Sequence, residues 1–594
     1  MSELTVVIPT RNRRESLLRA IESLSLQTAD GGTFDVLVVA DGCTDGTSFV
    51  VEQRARTAAW ADRGLVCVEQ AWQGAAAARN TGLRLARGRV VLFLDDDVAA
   101  EPDLIASHLR HHEPDSSAER AGQRGAVVVG RIEPIPRPEV VHRQIRRWWG
   151  DHYRRLATRA PVFADVFTGN VSVPRAAALA VGGFDETLDY VEDVEFGFRL
   201  ASAGLRIVYE AQAKVRTTNA KSGAALLTDL RRSGRGSVRV HRKHPEVLAE
   251  LPLGGYGETN LRLRLAQGSL LWASRLPPIE SAIRTIFEAW ATRTRPSPLD
   301  RRIFDVVRAY EFWSGVRSEA QSDEWSRYSS AGVPVLVYHS VQPRPAADAG
   351  PYVVASSAFA RQLSVIRLLG YTVRPLEEVV DAWTRGIPPP PRTLAITFDD
   401  GYRDNLVHVW PVLRRHSYAA TLFVVPGLLG GSSIWDEGVG PGPRPLMTAA
   451  ELVDLDRQGF RVQSHGVTHA DLREVSATVA ADEIVDSRRQ LEKVLSRRVD
   501  LFAYPYGHDN ATTRRLAAAA GYRAAFATRW GLNTAATPRF GLRRITVAGT
   551  DHLLVFAIKV WVGDNPFRHV SDFFRRLYLR TTRQRPTRAQ RSAR

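Results

Sequence analysis

Leu394-Ala395-Ile396-Thr397-Phe398-Asp399-Asp400-Gly401-Tyr402-Arg403-Asp404 decides how the C-terminal half is read. The apolar run Leu394–Ile396 predicts a buried strand. It ends in two adjacent carboxylates, Asp399 and Asp400, which are costly to bury without compensation. Candidate partners lie downstream in Ser464-His465-Gly466-Val467-Thr468-His469, two imidazoles four residues apart. One Asp and two His make an open site for a catalytic divalent metal, with positions left for water and substrate. The plainer alternative is a turn Asp and two surface His.

The neighbours of these residues carry a resemblance. Thr397–Gly401, then His465 and His469, then Phe502-Ala503-Tyr504-Pro505-Tyr506-Gly507, follow one another in a known order. They resemble the motifs of the polysaccharide deacetylases (carbohydrate esterase family 4, NodB-homology domain), over residues 332–550. The resemblance implies a distorted (β/α) barrel that hydrolyses N-acetyl groups from sugars. By it, Asp400, His465 and His469 hold Zn²⁺ or a similar divalent metal, and Asp399 is the base that activates water. Tyr504, Pro505 and Tyr506 line the substrate, with a backbone N–H near Tyr506 facing the oxyanion. The opening Val333–Ser340 resembles the subset acting on poly-N-acetylglucosamine and related chains, in which the early His, here His339, is a candidate general acid. Two departures bear on that role. Gly541–Val547 lacks the usual late Leu-x-His, and Ala503-Tyr504 stand where the family usually has Arg before Pro-Tyr.

At 594 residues the chain is too long for one core, so two or three domains are expected. The net charge of +16 suits anionic partners such as nucleotide-sugar phosphates or membrane surfaces, and equally suits a solvated Arg-rich surface. Two cysteines, Cys43 and Cys67, exclude a disulfide framework. The start lacks a basic region followed by an apolar one, and no stretch reaches the ~18 apolar residues that span a bilayer. The expectation is a cytoplasmic protein, peripheral to the inner face of a membrane if it touches one.

In the N-terminal half, short β-branched runs (Thr5–Pro9, Asp35–Ala40, Leu65–Val68, Val90–Leu94) alternate with helical segments (Glu15–Leu26, Thr47–Ala59, Ala75–Ala86). That alternation predicts a doubly wound, mostly parallel sheet, whose ligands bind at the carboxyl ends of the strands. Polar residues cluster there: Thr10–Arg13, Asp41 and Asp45, then Asp95-Asp96-Asp97. Three successive acids repel one another unless a cation sits between them, and hard carboxylates suit Mg²⁺ or Mn²⁺. Alone, the run reads equally well as a solvated loop.

Val6–Thr10, Val38–Gly46, Ala78–Gly82, Phe93–Asp97, Gly169–Pro174, Gly182–Glu186 and Glu192–Phe196 resemble the ordered blocks of family 2 glycosyltransferases with a GT-A fold, over residues 3–245. The resemblance implies a nucleotide-sugar site at Pro9, Thr10, Arg11, Asp41, Arg79 and Asp96. It places metal ligands at Asp95 and Asp97, the catalytic base at Asp193, and the acceptor beside Glu192. Ala40 departs from the further Asp that many members carry there. Gln144–Trp148 matches the processive-synthase signature only superficially, because it precedes the Glu192 block. Arg231, Arg232 and Arg235 read either as a mobile loop that holds the diphosphate or as a solvated surface.

The expected organisation is a glycosyltransferase domain over 1–245, a helical connector over 246–331, a deacetylase domain over 332–565 and a disordered basic tail over 566–594. In the connector, Leu261–Ala273, Ile279–Ala291 and Ile303–Trp313 have helical spacing and carry Trp272, Trp290 and Trp313, with Pro277-Pro278 expected as a break. Such helices pack between domains, or lie on anionic lipid. The expected function is bifunctional: transfer of an N-acetylhexosamine from a UDP-linked donor to a glycan or lipid-linked acceptor, and metal-dependent deacetylation of an N-acetylated glycan. The alternative is one active domain and one glycan-binding or scaffolding module. No nucleic-acid partner is expected.

Overall fold

The computed structural model describes residues 2–28, 33–61, 63–113, 125–217, 221–258, 261–346, 348–438 and 441–563. The basic tail expected from residue 566 lies outside them. The chain divides into two compact units, residues 1–253 with 262–322, and residues 254–261 with 323–594.

The first unit is built on eight strands: β1 (Leu4–Thr10), β2 (Phe34–Asp41), β3 (Gly64–Gln70), β4 (Val90–Leu94), β5 (Val98–Ala100), β6 (Ala126–Pro134), β7 (Asn170–Pro174) and β8 (Arg206–Thr217). Their order in the sheet is β3-β2-β1-β4-β7-β6-β8-β5. The first four pair in parallel, whereas β7 is antiparallel to both β4 and β6. The parallel strands are apolar on both faces because helices cover both. Leu4, Val6 and Ile8 pack into one cluster with Leu17 and Ile21; Val7 packs into the other with Leu83 and Phe93. Gly82 lets helix Ala75–Leu85 lie on β1, since a Cβ there would come within 2.2 Å of Val7.

Three local expectations are corrected. The helix from Thr47 stops at Ala55, and a short 3₁₀ turn follows at Ala58–Trp60. The helix expected from Ile279 begins two residues earlier, at Pro277, because a first-turn N–H has no helical acceptor to lose; the prolines still separate it from Leu261–Ala273. Arg231, Arg232 and Arg235 lie on helix Gly223–Lys243, not in a loop. Arg231 is held there by Glu280 at 2.6 Å and Glu311 at 2.8 Å.

The second unit is a parallel barrel. Its strands are β9 (Val335–Tyr338), β10 (Ser340–Gln342), β11 (Val353–Ala355), β12 (Thr372–Val373), β13 (Thr393–Phe398), β14 (Ala420–Val424), β15 (Phe460–Ser464), β16 (Leu501–Ala503), β17 (Ala524–Ala527), β18 (Leu542–Arg543) and β19 (Ile545–Thr546). The main sheet runs β18-β17-β16-β15-β14-β13-β9-β19, with β12 beside β13. Consecutive β18 and β19 sit at its two ends, so the sheet is one strand pair short of closure. Alternate residues divide between two clusters, as period 2 requires. Val335, Ala395, Phe423 and Phe526 gather with Trp383, whereas Leu336, Ile396, Leu422 and Val462 pack with residues of the surrounding helices. Among the described residues, no helix is long and apolar enough to cross a membrane.

Candidate active sites

In the barrel unit every candidate follows the carboxyl end of a strand, where such barrels assemble their chemistry. His339 follows β9, Asp399 and Asp400 follow β13, His465 follows β15, and Tyr504–Tyr506 follow β16. His465 Nε2 and His469 Nε2 converge on Asp400 Oδ1, at 3.4 and 3.3 Å. All three side chains are buried, and one ligand atom from each lies within 4.8 Å of the others. His465 Nδ1 lies 2.8 Å from the Ala503 carbonyl, which fixes that nitrogen as the donor and leaves Nε2 its lone pair. Asp400 Oδ1 is buried and has no hydrogen-bond donor of its own. An orphaned carboxylate oxygen facing two imidazole nitrogens fits a divalent cation. Burial alone would raise the Asp400 carboxyl, but the close approach of the His465 and His469 imidazoles holds it well below the usual range.

The backbone is bent to present these groups. Asp400 (φ 76), His469 (φ 67) and Tyr506 (φ 58) all adopt the left-handed region. That conformation is costly for residues with a Cβ and collects at functional sites.

Asp399 is arranged differently from its neighbour. Arg544 Nη1 and Nη2 donate to Asp399 Oδ1 and Oδ2 at 2.6 and 2.8 Å, and the arginine is fully buried. This fork holds one carboxylate orientation 3.8 Å from His465 Nε2. Arg544 falls between β18 and β19. Its neighbour Arg543 points elsewhere, to Glu258 at 2.6 Å.

Two further positions support the site. Glu483 accepts from Val467 N, Thr468 N and Thr468 Oγ1 at 2.7, 3.0 and 2.6 Å, and so fastens the loop between the two histidines. Trp435 stacks on His469 at 4.2 Å, and Tyr506, half exposed, lies 4.6 Å from the same imidazole. Sequence reading passed over Arg544, Glu483 and Trp435. Tyr504 is turned into the core, where its hydroxyl donates to Phe540 O at 2.9 Å, and Pro505 is buried beside it. His339 has an unpartnered Nδ1, and its backbone carbonyl accepts from Asn405 at 2.9 Å. Burial lowers its pKa, although Asp400 and Asp399 pull the other way.

In the first unit Thr10, Arg11, Asp41 and Asp95–Asp97 meet at the carboxyl ends of β1, β2 and β4. Thr10 Oγ1 donates to Asp96 at 2.8 Å, and Arg13 reaches Asp96 and Asp97, both at 3.1 Å. Arg79 is buried and bridges Glu192 at 2.8 Å and Asp95 at 3.3 Å. It thereby ties the acidic run to the helix Glu192–Ser202 that carries Asp193. Asp95 remains partly open to solvent, and Gly169 leaves it room, since a Cβ there would stand 2.7 Å from Asp95 Oδ2. Desolvation and the charges of Asp95 and Asp96 push Asp97 up to about 6, against Arg13. A cation among these acids would relieve that repulsion. Desolvation and the neighbouring Glu192 raise Asp193 to about 7, opposed by Arg79. Val191, immediately before this helix, is left-handed at φ 68, which is costly for a β-branched residue.

Two expected nucleotide contacts have internal partners. Asp41 accepts from Gln70 Nε2, Gln73 N and Gly74 N at 2.9, 2.8 and 2.8 Å, so it orders the loop after β3. The Arg11 guanidinium lies 4.6 Å over the Trp72 ring, which is 63% exposed. Pro9 is the penultimate residue of β1, beside Thr10.

Residues 5–177 match the family described as Glycosyl transferase family 2, and residues 386–525 the one described as Polysaccharide deacetylase. The chain joins a family 2 glycosyl transferase domain to a polysaccharide deacetylase domain. The transferase part is similar to validoxylamine A glucosyltransferase of Streptomyces hygroscopicus subsp. limoneus, 32% identical over 283 residues, covering 42% of this chain and 58% of that one. This chain therefore spans little more than half of that relative's length. The deacetylase part is similar to YxkH of Bacillus subtilis (strain 168), assigned by name only to the polysaccharide deacetylases: 24% identical over 233 residues, 39% of this chain and 77% of that one. It is also similar to the solved Streptococcus pyogenes deacetylase PplD in complex with acetate, with 28% identity, 38% of this chain and 95% of that one covered, and a TM-score of 0.33.

Proposed function

We propose that the chain performs two reactions. The transferase domain moves an N-acetylhexosamine from a UDP-linked donor to a glycan or lipid-linked acceptor. The deacetylase domain then hydrolyses the N-acetyl group of the sugar just transferred, releasing acetate and a free amine. The observation that carries this reading is the buried convergence of Asp400, His465 and His469 beside an Asp399 fixed by Arg544.

In the deacetylase site Asp400, His465 and His469 would hold Zn²⁺ or a similar ion, which supplies Lewis-acid polarisation of the amide carbonyl. Asp399, oriented by Arg544, takes a proton from the attacking water. A backbone N–H near Tyr506 faces the developing oxyanion. His339 gives the departing nitrogen its proton, which Asp400 and Asp399 help it to hold against the burial that lowers its pKa.

In the transferase site Asp95 and Asp97 would hold Mg²⁺ or Mn²⁺, which supplies charge neutralisation at a diphosphate leaving group. Pro9, Thr10, Arg11, Asp41, Arg79 and Asp96 shape the nucleotide-sugar pocket, Arg79 and Asp96 by holding the acids in place. Asp193 deprotonates the acceptor hydroxyl with Glu192 beside it, and a pKa near 7 suits a base working at neutral pH. Joining the domains raises the local concentration of the transferred sugar at the second site.

The purified protein should be incubated with UDP-N-acetylhexosamines and an acceptor panel while UDP and acetate are followed. UDP release with no acetate from any product would sink the coupled reading.

A further inference from the structure

Helices Leu261–Ala273 and Pro277–Ala291 each leave an outer side exposed. Their inner sides are buried at Leu271, Phe287, Trp290 and Ala291. The outer side of the first helix and its continuation carries Arg262, Leu265, Ser269, Trp272, Arg275 and Leu276 at helical spacing, all exposed. Leu265 is 56%, Trp272 71%, Leu276 60% and Ile286 69% exposed. Isolated apolar side chains on a surface need no explanation, but a contiguous group marks a contact site.

The charge of this face is one-sided. Between residues 262 and 302 the exposed charged residues are all arginines: Arg262, Arg275, Arg293, Arg295, Arg301 and Arg302. The acids of the same stretch are turned inward. Glu280 accepts from Arg231 at 2.6 Å. Asp300 accepts from the Trp290 indole at 3.0 Å and from Ser297 N at 2.7 Å. Glu288 lies against Gly223.

We propose that this face docks on the surface of an anionic lipid bilayer. A helix lying in a membrane interface sinks an apolar stripe below the headgroups and keeps basic residues among them. Trp272 and Leu276 supply the stripe, and Arg262 and Arg275 flank it on the same side. Tryptophan favours that boundary because one edge of its ring is apolar and the other hydrogen-bonds. Arginine keeps its charge in the headgroup layer while its stem covers apolar surface. The excess of exposed arginines between residues 262 and 302 complements a negative surface without selecting any one protein partner. The proposal does not rest on which sugar is transferred, and binding is measured without substrate.

The test is flotation of the full-length protein with vesicles of phosphatidylcholine alone or mixed with phosphatidylglycerol. The protein should float with the anionic vesicles and remain behind with the neutral ones. A Trp272→Ser/Leu276→Ser/Ile286→Ser variant should lose at least about tenfold in partitioning, because the apolar insertion is gone. Arg262→Gln and Arg275→Gln should each cost about fivefold. All of these positions are exposed, so the variants should melt with the parent protein. Three results would each overturn the proposal. The parent protein does not float with anionic vesicles. The triple variant floats as well as the parent. Or the face instead holds two copies of the chain together, seen as self-association that the triple variant loses while vesicle binding is absent.

Discussion

Replacing Arg544 by Met probes how the deacetylase site holds its proposed base. Arg544 is fully buried and grips both oxygens of Asp399, at 2.6 and 2.8 Å, with its guanidinium 5.3 Å over the Phe423 ring. Met keeps much of the stem but removes both charge-assisted hydrogen bonds. Stripping one partner from a buried ion pair costs about 3–5 kcal/mol, because the other charge is left uncompensated. For a domain of ~200 residues that lowers the melting temperature by roughly 6–20 °C. Calorimetry on the full-length variant reads this directly. Adding Asp399→Asn removes the stranded charge and should restore most of the loss, although the double variant stays inactive. Arg544→Lys keeps the charge and gives up the fork. Misplacing a catalytic group by about 1 Å costs about a hundredfold in rate, so acetate release should fall by that factor. Bound zinc should not change, because Arg544 touches none of Asp400, His465 or His469. An Arg544→Met protein that melts like the parent, or an Arg544→Lys protein with full activity, would refute the argument.

Other consequences concern both domains. The rate of UDP release at low substrate should rise about tenfold per pH unit up to about 7 and then level off, as Asp193 loses its proton; a profile flat from pH 5 to 8 would contradict Asp193 as the base. The same raised pKa means that folded Asp193 keeps its proton above the pH where the unfolded chain loses it. Its contribution to stability is therefore present below the ordinary aspartate value of 3.8 and lost as pH climbs to about 7, so denaturation midpoints should fall across that window and not below it. Glu483→Gln should weaken zinc binding about 10–100-fold with little change in fold, since the loop holding His465 and His469 loses a charged anchor; unchanged affinity in a competition titration would argue against that support. Ser417 and Ser496 are exposed, left-handed residues at helix C-termini, so each change to Gly should stabilise by about 0.5–1 kcal/mol in chemical denaturation.

How far the sequence carried the reading follows from which signals are local. The parallel sheet was legible because β1 to β4 are short β-branched runs separated by helical segments. The two acids after β13 and the two imidazoles after β15 were legible because each set lies within a few residues. Arg544 was not, because it stands 145 residues from Asp399 and beside a second arginine. Gly541-Leu542-Arg543-Arg544-Ile545 reads as a solvated pair, and only the break between β18 and β19 sends one side chain to Glu258 and the other to Asp399. Glu483 sits on helix Ala477–Leu495 among charged residues and nothing in that pattern marks it. The helical segment divides in the same way. Composition gave Trp272, Trp290 and Trp313 equal standing, whereas the packing buries the last two and leaves Trp272 outside. Asp41 could be placed at a strand end from its neighbours, but not its three internal donors, which come from the end of β3 and the loop after it, about thirty residues away.

The central claim is that both domains act and that one transferred sugar passes through both. Mass spectrometry of the product formed from UDP-N-acetylhexosamine tests it most directly, with the parent protein compared against Asp399→Asn. The account predicts a free-amine product from the parent and an N-acetylated product from the variant, at equal UDP release. An N-acetylated product from both proteins would contradict it.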